Sequence, residues 1–175
     1  MRTRAHSLLL RLIEPRLAAA LILAAATATV GAALFFQHVV GLLPCKLCLI
    51  QRQPYYAAIP VALGLVLLPL DQRWRRAGLL LLALTFLVSA GLGAYHAGVE
   101  WGFWLGPNDC GGAAPSAAAG VEDFLKRLET TRVVSCTEAA WRFLGLSMAG
   151  WNAVISLGLA GFAAAAAGTG LQARR

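Results

Sequence analysis

Two cysteines three residues apart, Cys45 and Cys48, precede Gln51 and Arg52 in the run Pro44-Cys45-Lys46-Leu47-Cys48-Leu49-Ile50-Gln51-Arg52. A C-x-x-C pair can be a redox dithiol, a structural bridge over one turn, or half of a zinc site. On a helix, residues three and four apart share a face, which aligns Cys45, Cys48 and Arg52. A helix N-terminus favours a thiolate. An arginine one turn deeper either stabilises that thiolate or holds an electronegative ligand beside it, and Gln51 adds a hydrogen bond at the same level. A snorkelling interface anchor is the other use of such an arginine. Two more cysteines lie downstream. Cys110 sits in Gly106-Pro107-Asn108-Asp109-Cys110-Gly111-Gly112, a loop sequence that leaves a sulfur open to another protein's thiolate. Cys136 sits in Ser135-Cys136-Thr137-Glu138. That string fits a capping box with Ser135 as N-cap and Glu138 at N3, which predicts Cys136 in the first turn of a helix leading into the last apolar run. A thiolate there is a good leaving group. A plain bridge holding the loop is the alternative.

The elements that position these residues are set by hydropathy. Of 175 residues, 59% are hydrophobic and 13% charged, against about 25% charged in a soluble domain. The mean hydropathy of +0.68 agrees, so the chain reads as a membrane protein. Apolar runs predict spans over about 17–36, 48–70, 77–95 and 145–167, joined outside by loops 37–47 and 96–144. Twenty helical residues cover about 30 Å, the thickness of a bilayer core. A signal peptide at the basic N-terminus gives way to a retained anchor, because the apolar run exceeds the usual length and further spans follow. The expectation is one integral membrane domain over 1–175, an all-α bundle of four transmembrane helices. Val121, Phe124, Leu125 and Leu128 recur at helical spacing among charged neighbours. They predict a short amphipathic helix in the long outer loop.

Charge assigns the sides. The N-terminal tail, the 71–76 turn and the C-terminal tail together hold nine Lys/Arg and two acids, and the other face six of each. The positive-inside rule then makes both termini cytoplasmic and turns all four cysteines outward, where disulfides persist. Zinc on four cysteines fits poorly, since structural sites use two close pairs and Cys110 and Cys136 are far apart. The net charge of +7 is too dispersed for a nucleic-acid site. No metal and no nucleic-acid partner is expected. Two dithiols on an oxidising face suggest a relay by thiol–disulfide exchange, which ends in a two-electron acceptor. A membrane quinone fits: it is apolar, and its carbonyl oxygens suit Arg52. His96 and Met148 are candidates for its pocket, with an interface histidine and a packing methionine as the plain alternatives.

The chain resembles the bacterial disulfide bond formation protein B (DsbB) family of inner-membrane, quinone-linked thiol oxidases. The resemblance rests on Phe36-Gln37-His38, Pro44-Cys45-x-Leu47-Cys48-x-x-Gln51-Arg52, Tyr95-His96, and Cys136 followed by Trp141-x-Phe143-Leu144-Gly145-Leu146-x-Met148. It implies two redox-active disulfides, Cys45–Cys48 and Cys110–Cys136. It implies that a reduced periplasmic thioredoxin-fold oxidase (DsbA-like) attacks at Cys110, and that the released Cys136 passes electrons to Cys45–Cys48. Cys48, beside Arg52, then reduces ubiquinone or menaquinone bordered by Gln51, His96 and Met148. The stretch 111–120, rich in Gly and Ala, departs most from the family. The competing readings are a disulfide-stapled membrane scaffold without turnover, an oxidase dedicated to another thiol partner, and an enzyme working like a vitamin K epoxide reductase.

Overall fold

The computed structural model describes residues 14–107 and 135–172. Four long helices stand among them: α1 (Pro15–His38), α2 (Lys46–Leu67), α3 (Gln72–Glu100) and α4 (Met148–Gln172). α1 starts on Pro15, where a proline's missing N–H costs nothing. α2 starts on Cys45, whose extended backbone makes it the N-cap and whose sulfur accepts the Cys48 N–H at 3.3 Å. The C-x-x-C therefore straddles the helix start. α2 stops before Leu68-Pro69, since a residue preceding proline disfavours helical angles.

α3 overruns the expected 77–95 at both ends. The 71–76 segment expected as a turn is its first turn, with Asp71 at the N-cap position and no side-chain cap bond, because nothing from Gln72 to Trp74 breaks a helix. At its far end the helix continues past His96 to Glu100, so His96 lies inside it. Its 29 residues reach about 43 Å, more than a bilayer core needs.

The approach to α4 also differs from expectation. The capping box does not form: Cys136 sits in a turn, and Ser135 Oγ accepts the Thr137 N–H at 3.2 Å instead. A two-stranded hairpin intervenes, β1 (Arg142–Phe143) with β2 (Leu146–Ser147), in the register Arg142↔Ser147 and Phe143↔Leu146. Leu144 and Gly145 turn it with φ of 50° and 82°, the paired positive angles of a tight hairpin. Helix cannot pass through such angles, so α4 begins at Met148 and not at 145. This hairpin is a small departure from an all-α chain. The amphipathic helix expected near 121–128 lies outside the described residues, as does Cys110.

Neighbouring helices pack in sequence, and α3 against α4 is the most extensive contact. Their shared core takes Ala18 and Ile22 from α1, Ala58 and Ala62 from α2, Leu79 and Phe86 from α3, and Ala160 and Ala163 from α4. Small residues let helices in lipid approach closely. Gly93 brings α3 against the backbone of α4: a Cβ there would stand 2.8 Å from Ala153 N and 3.0 Å from Ala149 O. Gly93→Val is expected to force α3 off α4 at a cost of about 1–3 kcal/mol, by analogy with overpacked cores. A thermal unfolding midpoint in detergent equal to wild type would refute this.

Among the described residues, three helical segments are long and apolar enough to cross a membrane: Pro15–His38, Gln72–Glu100 and Met148–Thr169. α2 is not among them, because Lys46, Gln51, Arg52 and Gln53 dilute its first half.

Candidate functional site

The C-terminal ends of α1 and α3 meet the N-terminal ends of α2 and α4 around the cysteine pair. Cys45 Sγ and Cys48 Sγ are 2.8 Å apart, and both are free thiols. Cys45 is buried and Cys48 half-buried. Cys45 Sγ also stands 3.8 Å from His96 Nε2. The Cys48 thiol, donating to Cys45, lowers the Cys45 pKa to about 4; burial opposes this, while His96 and the Cys48 N–H assist. These contacts favour the thiolate on Cys45, the reactive form of cysteine.

His96 joins a file of buried polar groups. Its Nδ1 lies 2.6 Å from Gln51 Nε2. Gln51 Oε1 accepts from Asn152 Nδ2 at 2.7 Å, and Asn152 Oδ1 accepts from the Tyr55 hydroxyl at 2.8 Å. Tyr55 is 2.8 Å from Ser156 Oγ, which donates to Ser89 at 2.9 Å. The file links α2, α3 and α4 and brings polar groups together in a setting where an unpaired polar group is costly. Gln51 and His96 were expected at the site. Tyr55, Ser89, Asn152 and Ser156 were not, although Gln51 with Tyr55 and Asn152 with Ser156 each stand four apart on apolar helices.

Arg52 is fixed from α1. Its Nη1 donates to Gln37 Oε1 at 2.5 Å and its Nη2 to the Ala33 carbonyl at 3.3 Å. A guanidinium carries five donors, so these bonds hold it in place and leave donors for a ligand. Beside it opens a largely apolar cavity of about 540 Å³, whose wall includes Cys48, Gln51, Arg52, His96, Met148 and Asn152. That volume is in the usual range for a small-molecule site. Cys45 lies behind this wall, in a buried cluster with Leu47, Val99 and Cys136, and Cys48 packs against it. Cys136 is disulfide-bonded; the expectation that Cys110 is its partner falls outside the described residues. Seven of the eight residues expected at the site therefore gather at one end of the helices.

The family model for disulfide bond formation protein DsbB matches residues 15–166. Disulfide bond formation protein B of an Acidovorax species is 34% identical over 156 residues, covering 80% of each chain. The protein of the same name from Marinobacter nauticus is 36% identical over 133 residues, covering 70% of this chain and 73% of its own. A Polaromonas relative is 33% identical over 150 residues, covering 79% and 82%. No solved structure matches. Matched over most of its length by the family model and by relatives above 30% identity, the chain belongs to the disulfide bond formation protein DsbB family.

Proposed function

We propose that this disulfide-bond-forming membrane oxidoreductase reoxidises a periplasmic thioredoxin-fold dithiol oxidase and delivers the electrons to ubiquinone or menaquinone. The observation that carries the reading is the cluster in which Cys45 and Cys136 are buried together, with Cys48 packed against it and facing the cavity. Loop sulfur, inner pair and pocket form one short route.

The exchanges balance. A thiolate of the partner attacks Cys110 of a Cys110–Cys136 disulfide, forming a mixed disulfide and releasing Cys136 as thiolate. The partner's second thiolate resolves it, leaving the partner oxidised and the loop pair reduced. Cys136 then attacks Cys45 of the Cys45–Cys48 disulfide and releases Cys48, and Cys110 resolves the new bridge. Two electrons now rest on the inner pair. A quinone, when bound, supplies a two-electron, two-proton acceptor. The cavity fits one: it is mostly apolar, with a fixed cation and polar groups on one wall. Arg52 would hold a carbonyl oxygen by a charge-assisted hydrogen bond. Gln51 and His96 would border the ring, and Met148 would pack against it.

The same reading makes the chain one membrane domain of four spans, with α2 as the second. Both termini are cytoplasmic, and all four cysteines face the periplasm of the inner membrane. Neither nucleic acid nor a metal takes part in the route. A stapled scaffold explains less, since Cys48 lines a cavity of small-molecule size beside the tethered Arg52.

The test mixes purified protein, a reduced thioredoxin-fold oxidase and a soluble quinone, and follows quinone absorbance. Many turnovers per chain are expected. Absence of quinone reduction by the wild-type protein would sink the proposal, and four cysteines that stay oxidised and inert would favour the scaffold.

A further inference from the structure

We propose that the reduced enzyme captures a thiophilic divalent metal ion at Cys45, Cys48 and His96. The two sulfurs and a ring nitrogen of His96 all lie within 4.8 Å of one another. A zinc site takes ligands at about 2.3 Å for sulfur and 2.0–2.1 Å for nitrogen in tetrahedral array, which puts sulfur and nitrogen roughly 3.6 Å apart. The observed Cys45 Sγ to His96 Nε2 distance is 3.8 Å. The sulfurs, at 2.8 Å, need to part by about 1 Å for the same geometry. A side-chain rotation of the half-buried Cys48 supplies that. Spacing along the chain conceals this site, because the third ligand arrives from another helix, 51 residues beyond Cys45.

Two neighbours complete the surroundings. Glu100 Oε1 is 3.9 Å from His96 Nε2, and its side chain is 5% exposed. Its other oxygen, Oε2, is buried with no hydrogen-bond partner among the described residues. A carboxylate so placed can hold a metal-bound water in the fourth position. Gln51 meets His96 Nδ1, the outer-shell contact that orients metal-binding histidines. For Nε2 to bind metal, Nδ1 carries the proton and Gln51 turns its amide so that the oxygen accepts it.

The ion replaces the thiol protons: the dithiol and M²⁺ give a bis-thiolate complex and two protons. The disulfide offers no thiolate, so the site exists only in the reduced enzyme. A bound ion occupies Cys48, which then cannot pass electrons on, and the enzyme stalls reduced. This blockade rests on the proposed electron route; the binding does not.

The experiment uses full-length protein in detergent carrying Cys110→Ser and Cys136→Ser, reduced, desalted and titrated with Cd²⁺. The thiolate-to-cadmium charge-transfer absorbance is the readout. One Cd²⁺ per reduced chain is expected, displaced by Zn²⁺, with none in the oxidised chain. His96→Ala is expected to weaken binding at least about tenfold, and Gln51→Leu about 10- to 100-fold, the usual outer-shell effect. Equal binding by reduced and oxidised chains overturns the proposal. So does a correctly helical His96→Ala that binds as tightly as its parent; His96→Asn gives the same two readings if the alanine variant does not fold. In the turnover assay Zn²⁺ is expected to inhibit the enzyme once it is reduced. Binding without inhibition overturns the blockade and the role of Cys48 in electron transfer, while the metal site stands.

Discussion

Cys48→Ser is expected to abolish the proposed quinone reduction while leaving one exchange intact. Cys48 is the inner-pair sulfur on the cavity wall, and Cys45 lies behind it, buried with Cys136. Serine has the shape of cysteine but forms no disulfide. The loop disulfide can still oxidise one equivalent of reduced partner per chain, and the electrons then have no inner disulfide to enter. Stopped-flow measurement should show a single equivalent of partner oxidised and a flat quinone trace. Residual quinone turnover above about one hundredth of wild type would mean that electrons leave by another sulfur, because removal of an essential nucleophile costs far more than that.

Arg52→Met separates acceptor binding from thiol exchange. Methionine keeps much of the volume and removes the charge, so packing changes little. A hydrogen bond to a charged group contributes about 1.5–3 kcal/mol, which converts to a rise of roughly 10- to 150-fold in the KM for quinone. Exchange at Cys110 should not change, because Arg52 contacts α1 and the cavity and lies outside the cluster that holds Cys136. Steady-state kinetics with quinone and partner varied in turn give both constants. Equal losses in the two would assign Arg52 to tethering α1 through Gln37 and Ala33.

What the sequence shows of this site is what one helix can encode. The C-x-x-C at the start of α2 and Arg52 a turn later depend only on local spacing, and the structure places them as the spacing implies. His96 and Met148 stood in the sequence only as candidates beside plainer readings, because no periodicity in α3 or α4 points to α2. Asn152, Tyr55, Ser156 and Ser89 look like isolated polar residues along the chain and gain meaning when three helices meet. The capping box misled for a local reason: Ser135 does cap a turn, but Leu144 and Gly145 later force a hairpin and postpone the helix to Met148. The start of α3 was missed because a cluster of charges at a membrane surface looks like a turn whether or not it is helical.

The weak hydropathy of α2 bears on how the protein is made. Under the proposed four-span topology, α2 brings Gln51, Arg52 and Tyr55 into or next to hydrocarbon, and a lone arginine at a bilayer centre costs about 2.5–3.5 kcal/mol on insertion scales. Arg52 finds its partners on α1, Gln51 on α3 and α4, and Tyr55 on α4. The last of these is synthesised after everything else in the bundle. Translocation machinery that releases α2 early would leave it poorly anchored, whereas the finished chain solvates it from three sides. Biogenesis and catalytic competence are thereby joined, since the bonds that retain α2 in the membrane are those that shape the pocket beside Cys48.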